Sequence, residues 1–373
     1  MENLEMVQYF NKVETTQSHQ GYIHSVGRTL TIVILGSLCK LEDLAEIHQW
    51  ASENKISSFL SEHFGINTIP TYNWLLHLLQ IIRPDSLNKL FIDWTKTLVP
   101  KFLNGLTIAF DGKTICSTNK MQEYERPLHI LSAYLVEQGL TLGQQTVGKK
   151  SNEIPAMREL IKLIDIRGSM VVADALHCQA DTAKEIVDAG GDYLLSVKGN
   201  QETLAQDIKD YVADDALRKT MDSAHTIEKN GGRIEYRQAF VIDDVLWMGE
   251  RIHGWKGLVS IGAINRRITI GEKTTDEWHF YISSRKLTAE NLLKYARNEW
   301  GVEVMHWLLD VHFSEDSCRL HNDNAQQNLN IIRKLALNYV RNFKNKTNSK
   351  RPLSRLMFAC LLEPYKLLDI INC

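Results

Sequence analysis

The sequence has no cysteine pair, no apolar run of membrane length and no surplus of charge of either sign. Each absence narrows what the protein can be. The six cysteines, at 39, 116, 178, 318, 360 and 373, stand singly, and none belongs to a Cys-x-x-Cys pair. Neither a disulfide framework nor a cysteine zinc site is expected. Cys178 stands beside candidate site residues and is read as packing rather than as a nucleophile. The longest apolar stretch, Leu30 to Cys39, is interrupted by Thr31, Gly36 and Ser37 and falls short of the roughly 18 residues that a membrane helix needs. The chain begins Met-Glu-Asn-Leu-Glu-Met, without the basic start and apolar run of a secretory signal. The expectation is a cytoplasmic protein with no membrane association, nucleoid-associated when it acts. A net charge of −2 argues against a uniformly basic nucleic-acid binder, though not against local patches.

The 373 residues leave room for two or three domains, and 44% hydrophobic with 24% charged residues is the composition of an ordinary globular chain. One asymmetry stands out. From Asn324 to Leu362 there is no Asp or Glu, while Arg333, Lys334, Arg341, Lys344, Lys346, Lys350, Arg351 and Arg355 all occur. Such a run is either a solvated C-terminal face or a set of phosphate contacts.

Residues 1–100 read as a small helical domain with either a DNA-binding or a structural role. Leu41 to Trp50 carries apolar residues at helical spacing, Trp74 to Ile82 is apolar nearly all round, and Leu87 to Val99 is amphipathic. From Leu106 the texture changes. Leu106 to Phe110 reads as a strand ending in Asp111-Gly112. Leu128 to Val136 and Leu140 to Val147 read as a hairpin turning at Glu137-Gln138-Gly139. Asn152 caps an expected helix over 154–164; then follow a strand over Val171 to Ala173 ending in Asp174, a helix to Ala189 and a strand over 192–198. Three meandering strands, then helix, strand, helix, strand is the ribonuclease-H-like order. A β insertion is expected at about 221–284, and a basic tail at 346–373 after a core over 101–345.

The chemistry is sought in the acids. Open α/β sheets place reacting groups at the carboxyl ends of strands, where Asp111 and Asp174 fall. A helix with Thr288 as N-cap sets Ala296, Trp300, Glu303, Trp307 and Asp310 on one stripe. The aromatics lead us to expect that this stripe packs on the sheet, with Glu303 buried. Two strand aspartates and one helix glutamate can hold Mg²⁺, which favours hard oxygen ligands, or a pair of cations about 3.5–4 Å apart for phosphodiester chemistry. Taken singly, Asp111-Gly112 also reads as a turn, Asp174 as a helix N-cap and Glu303 as the partner of a buried Arg. His306, His312 and His321 lack metal spacing. His177 reads either as a substrate contact or as a structural imidazole.

Five stretches carry a resemblance: Ala109-Phe-Asp-Gly-Lys113, Lys150-Ser-Asn-Glu-Ile-Pro155, Ala173-Asp-Ala-Leu-His-Cys-Gln179, Tyr193-Leu-Leu-Ser-Val-Lys-Gly-Asn-Gln201 and His306-Trp-Leu-Leu-Asp-Val-His-Phe-Ser-Glu-Asp316. The chain resembles the DDE transposases of bacterial insertion sequences, in the subgroup that includes the H-repeat-associated proteins of Rhs elements. The match runs from about residue 20 to about residue 345. The resemblance implies a ribonuclease-H-like core with a β insertion, an all-α N-terminal domain, and Asp111, Asp174 and Glu303 as catalytic and metal-holding acids. It implies Mg²⁺, with Mn²⁺ able to substitute, for strand cleavage at element ends and strand transfer into target DNA. The expected partners are terminal inverted repeats and target DNA, with a homodimer on paired ends. Lys113, His177, Lys198, Asn200, Gln201, Arg333 and Lys334 are the candidate DNA contacts. Where related transposases carry a Tyr, an Arg and a Lys around the glutamate, this chain has Ala296, Glu299 and Asp310; the subgroup usually has His at the position of Glu299. A decayed DNA-binding or assembly protein, and a non-transposing metal nuclease, are the rival readings.

Overall fold

A computed structural model describes residues 3–17, 22–115, 127–148 and 151–373. Cys116 and Lys150, both singled out in the sequence, lie outside these residues. The chain opens with six helices, α1 (Asn3–Phe10), α2 (Val26–Leu38), α3 (Leu44–Ser52), α4 (Asn54–Phe64), α5 (Tyr72–Ile81) and α6 (Pro84–Thr95). Side chains of Ser25, Asp43 and Thr71 cap α2, α3 and α5, satisfying amides that have no partner within the helix. Strands β1 (Thr107–Thr114), β2 (His129–Leu135) and β3 (Leu140–Thr146) follow. Then come α7 (Glu153–Leu163), β4 (Met170–Ala173), α8 (Ala180–Asp188), β5 (Asp192–Val197), α9 (Glu202–Ala213) and α10 (Asp215–Arg218). Four long strands, β6 (Asp222–Asn230), β7 (Arg233–Ile242), β8 (Ser260–Ile270) and β9 (Lys273–Ser283), precede α11 (Ala289–Asn298), α12 (Gly301–Phe313), α13 (Asp323–Lys346), α14 (Leu353–Leu362) and α15 (Tyr365–Ile371).

Among the described residues the nine strands belong to one sheet, ordered β3-β2-β1-β4-β5-β9-β8-β7-β6. Its first five strands, with β1, β4 and β5 parallel and β2 and β3 antiparallel, have the ribonuclease-H-like order expected from the sequence. Strand β9 pairs antiparallel with β5, so the strands over 222–283 continue that sheet. Alternation divides the core. Ile108, Phe110, Val171 and Ala173 pack with α7 and α8 on one face, and Ala109, Met170 and Val172 pack with α11, α12 and α13 on the other.

The acid-free basic run divides: Arg333 and Lys334 are buried, whereas Lys346, Lys350, Arg351 and Arg355 are exposed. Helix α13 is buried along most of its length among α2, α5, α6 and β3. Its Asn338 amide accepts from the Thr141 N–H at 2.9 Å and donates to the Thr141 carbonyl at 2.8 Å, closing part of the edge of β3 that would otherwise be unpaired. Beyond residue 346 the chain forms α14 and α15, whose Leu353, Leu356, Met357, Leu367, Ile370 and Ile371 join the same core.

Candidate active site

Strand β1 is buried from Thr107 to Phe110 and emerges to half-burial from Asp111 onward. Strand β4 ends at Ala173, and Asp174 is exposed. The parallel register pairs Phe110 with Ala173, so the next residue on each strand, Asp111 and Asp174, falls side by side at the carboxyl edge. Neighbouring strands lie about 4.8 Å apart. By alternation Asp111 follows Ala109, and Asp174, one position past its strand, follows Val172, toward the face covered by α11 and α12. Asp174 Oδ1 accepts the Leu176 N–H at 3.1 Å, capping the short 3₁₀ turn Ala175–His177. The N-cap reading and the strand-end reading therefore describe the same residue.

Glu303 lies in the first turn of α12. That helix crosses close to β2 because Gly301 leaves no side chain in the way: a Cβ there would stand 2.7 Å from Val136 Cγ1. Thr288 does cap a helix, but α11 ends at Asn298 and α12 begins afresh at Gly301. The packed side of α12 is Val302, Met305, Leu308, Leu309, His312 and Phe313. The expectation that the stripe through Trp300, Glu303 and Trp307 packs on the sheet is corrected here. Trp300 is 47% and Trp307 59% exposed, and Glu303 is exposed beside them. Aliphatic side chains fill the interface, so Glu303 needs no buried partner.

The acids act on one another. Burial first, then the charge of Glu153, with Asp174 and Glu303 adding to it, pushes the Asp111 carboxyl up to about 6. Glu299 is pushed up to about 8 by burial, then by Asp174, with Lys198 opposing and Asp111 and Glu303 adding. His306 Nδ1 stands 3.5 Å from Asp111 Oδ2. Burial, then Lys334 and Lys113, holds that imidazole down at about 3, so it stays neutral and does not balance the carboxylates.

A divalent cation fits this site by chemistry: hard oxygen donors, two of them adjacent by strand register, with charge that raises one donor's pKa. The side chains do not form a closed shell. Among the described residues, no three His, Cys, Asp or Glu side chains gather at metal-ligating spacing. Asp111, Asp174 and Glu303 are the residues that would hold such an ion.

The expected DNA contacts divide. Lys198 is exposed and lines a cavity of about 130 Å³ with Arg237, Arg266, His279, Glu299 and Trp300. Lys113 is turned inward to Asp310 at 2.5 Å, Glu315 at 3.0 Å and Asp316 at 3.5 Å. Asn200 and Gln201 donate to the carbonyls of Ala175 and Cys178 at 2.5 and 3.0 Å, clamping the turn after Asp174. Three expectations are corrected by burial. His177 is 1% exposed against Glu153. Arg333 is 4% exposed and donates to the Glu42 carbonyl. Lys334 is 2% exposed and donates to Ser132 Oγ and Gln144 Oε1, both at 2.8 Å. None of the three offers its charge to a phosphate. The Cys178 thiol, raised to about 12 by burial, is no nucleophile.

The sequence reading passed over Glu153 and His129, though Glu153 lies within a quoted motif, and set His306 aside for want of metal spacing. The missing signal was spatial: Glu153 stands 42 positions from Asp111 and 21 from Asp174 in the numbering.

A family model described as "Transposase DDE domain" matches residues 85–339, and one described as "DDE_Tnp_1-associated" matches residues 7–95. The H repeat-associated putative transposase YhhI of Escherichia coli (strain K12) is 32% identical over 311 residues, covering 82% of this chain and 80% of that protein. Putative transposase YncI of Escherichia coli O157:H7 is 29% identical over 366 residues, covering 96% and 93%. Among solved structures, the piggyBac transposase synaptic complex with hairpin DNA aligns with a TM-score of 0.51 at 10% identity, covering 100% of this chain and 78% of that one. At that identity the likeness is one of fold.

Proposed function

Because the chain belongs to the transposase DDE-domain family, we propose that it cuts DNA strands at the ends of an insertion element and joins them to target DNA, using Mg²⁺ or Mn²⁺. The register that sets Asp111 beside Asp174 carries this reading, with Glu303 presented from α12. A bound cation supplies Lewis-acid stabilisation of the charge that builds on the phosphodiester oxygens. Asp111, Asp174 and Glu303 would hold it. The neutral His306 keeps Asp111 available as a charged donor rather than tying it into an ion pair. Water serves as nucleophile in cleavage, and the freed 3′ hydroxyl serves in strand transfer, so no protein nucleophile is required. Exposed Lys198 meets a phosphate beside the acids. A homodimer holds the paired ends.

The deciding experiment is Mg²⁺-dependent cleavage of DNA carrying the gene's own flanking ends. Cleavage at the ends is expected. Binding without cleavage at any metal concentration would favour a decayed or assembly protein, and cutting without regard to the ends a plain nuclease.

The buried cations make a second prediction. Lys198→Ala should lower the slope of log affinity against log salt by about 0.7–0.9, the loss of one phosphate contact. Lys334→Met should leave the slope unchanged. Salt titration of DNA binding checks both, and a reduced slope for Lys334→Met would put that lysine back at the DNA.

A further inference from the structure

One cluster beside the site is absorbed by none of the chemistry above. Glu153, the first residue of α7, directs its two carboxylate oxygens to two histidines: Oε1 lies 2.7 Å from His129 Nε2 and Oε2 lies 3.3 Å from His177 Nε2. His129 belongs to β2, and its Nδ1 lies 2.8 Å from Thr114 Oγ1 on β1. His177 closes the turn that begins at Asp174, and its Nε2 is 3.9 Å from Asp174 Oδ1. Gly112, next to Asp111, sits directly on the cluster: a Cβ there would meet Glu153 Cδ and His129 Nε2, each at 2.5 Å. The chain Thr114–His129–Glu153–His177 thus links the strand bearing Asp111 to the turn bearing Asp174. Although burial works the other way, hydrogen bonds from the two histidines hold the Glu153 carboxyl down at about 2. That is the behaviour of a fixed carboxylate.

We infer that Glu153 is a positioning residue. It locks the Asp174 turn through His177 and the Asp111 strand through His129, and so sets the spacing at which the two acids meet a divalent cation. The inference rests on the metal reading above and adds a residue that the three acids do not include. Groups that orient metal ligands change metal affinity about 10–100-fold when removed; Glu153 acts one step further out, through His177 and His129.

Two readouts test it on the full chain without DNA. Mn²⁺ affinity, read by the electron paramagnetic resonance of the free ion, should weaken about tenfold or more in Glu153→Ala and be abolished in Asp174→Ala. Hydrogen exchange over residues 174–179 should accelerate in Glu153→Ala while the rest of the sheet exchanges as in wild type. Glu153→Gln should restore slow exchange, because its amide donates to one imidazole nitrogen and accepts from the other. If Glu153→Ala does not fold, His177→Phe breaks the same link within a similar volume, and the same two changes are expected. Unaltered exchange at 174–179 in a folded variant overturns the positioning role. If wild type and Asp174→Ala bind Mn²⁺ alike, the metal reading falls instead, and the exchange comparison still decides what Glu153 does.

Discussion

Asp174→Ala should abolish strand cleavage while leaving DNA binding close to wild type. The side chain is exposed; it accepts from the Leu176 N–H and approaches buried His177 at 3.9 Å. Losing that cap costs about 1 kcal/mol of stability, small enough for the fold to survive. On the proposed reading Asp174 is a metal donor, and its loss removes several kcal/mol of transition-state stabilisation, a rate loss of about a thousandfold or more. Measured without divalent cations, removing a negative charge near the DNA cannot weaken phosphate binding through electrostatics, so affinity should stay within about threefold or tighten. Cleavage, DNA anisotropy and thermal melting on one preparation check this. Binding that collapses together with cleavage, in a protein that melts normally, would make Asp174 a DNA contact and not a metal donor.

The second large effect is a stability change that depends on pH. The Glu299 carboxyl is raised from 4.5 to about 8 by burial, then by the neighbouring acids. The folded chain therefore holds this proton more tightly than the unfolded chain does. Stability falls as pH rises through the window from about 4.5 to about 8, the reverse of the usual acid in an ion pair. Glu299→Gln keeps the neutral shape at every pH. In the absence of divalent cations it should be near wild type at pH 5 and more stable by about 3 kcal/mol above pH 8, about 5 °C in Tm. Melting curves of both proteins across that range check it, and a difference that does not grow with pH counts against the buried-acid account. The same residue stands where the resembled subgroup usually has His, and here it adds a fourth acid to the three.

Local pattern carried a good deal of this. A β-branched run ending in an acid places Asp174 at a strand end, because a strand's period of two and its end are set by neighbours in sequence. The expected end at Asp111 is corrected, since β1 runs on to Thr114 and only its pairing with β4 stops at Phe110. The order of strands and helices was legible for the same reason, as was Thr288 as a cap. What the chain's pattern could not decide is which faces meet. Trp300 and Trp307 look like core residues and lie in solvent, because Val302, Met305 and Leu309 already fill the gap between α12 and the sheet. Lys334 looks like a phosphate contact and lies at the centre of the molecule. Its acceptors Ser132 and Gln144, 202 and 190 positions away, supply the hydrogen bonds that make burying an amine tolerable. Burial then lowers its pKa to about 7. Glu153 reaches both acid-bearing segments only because α7 lies across β2 and β3. Periodicity reports which residues share a face of one element; the partner of that face is chosen by packing between segments far apart in sequence, and only the tertiary structure shows that choice.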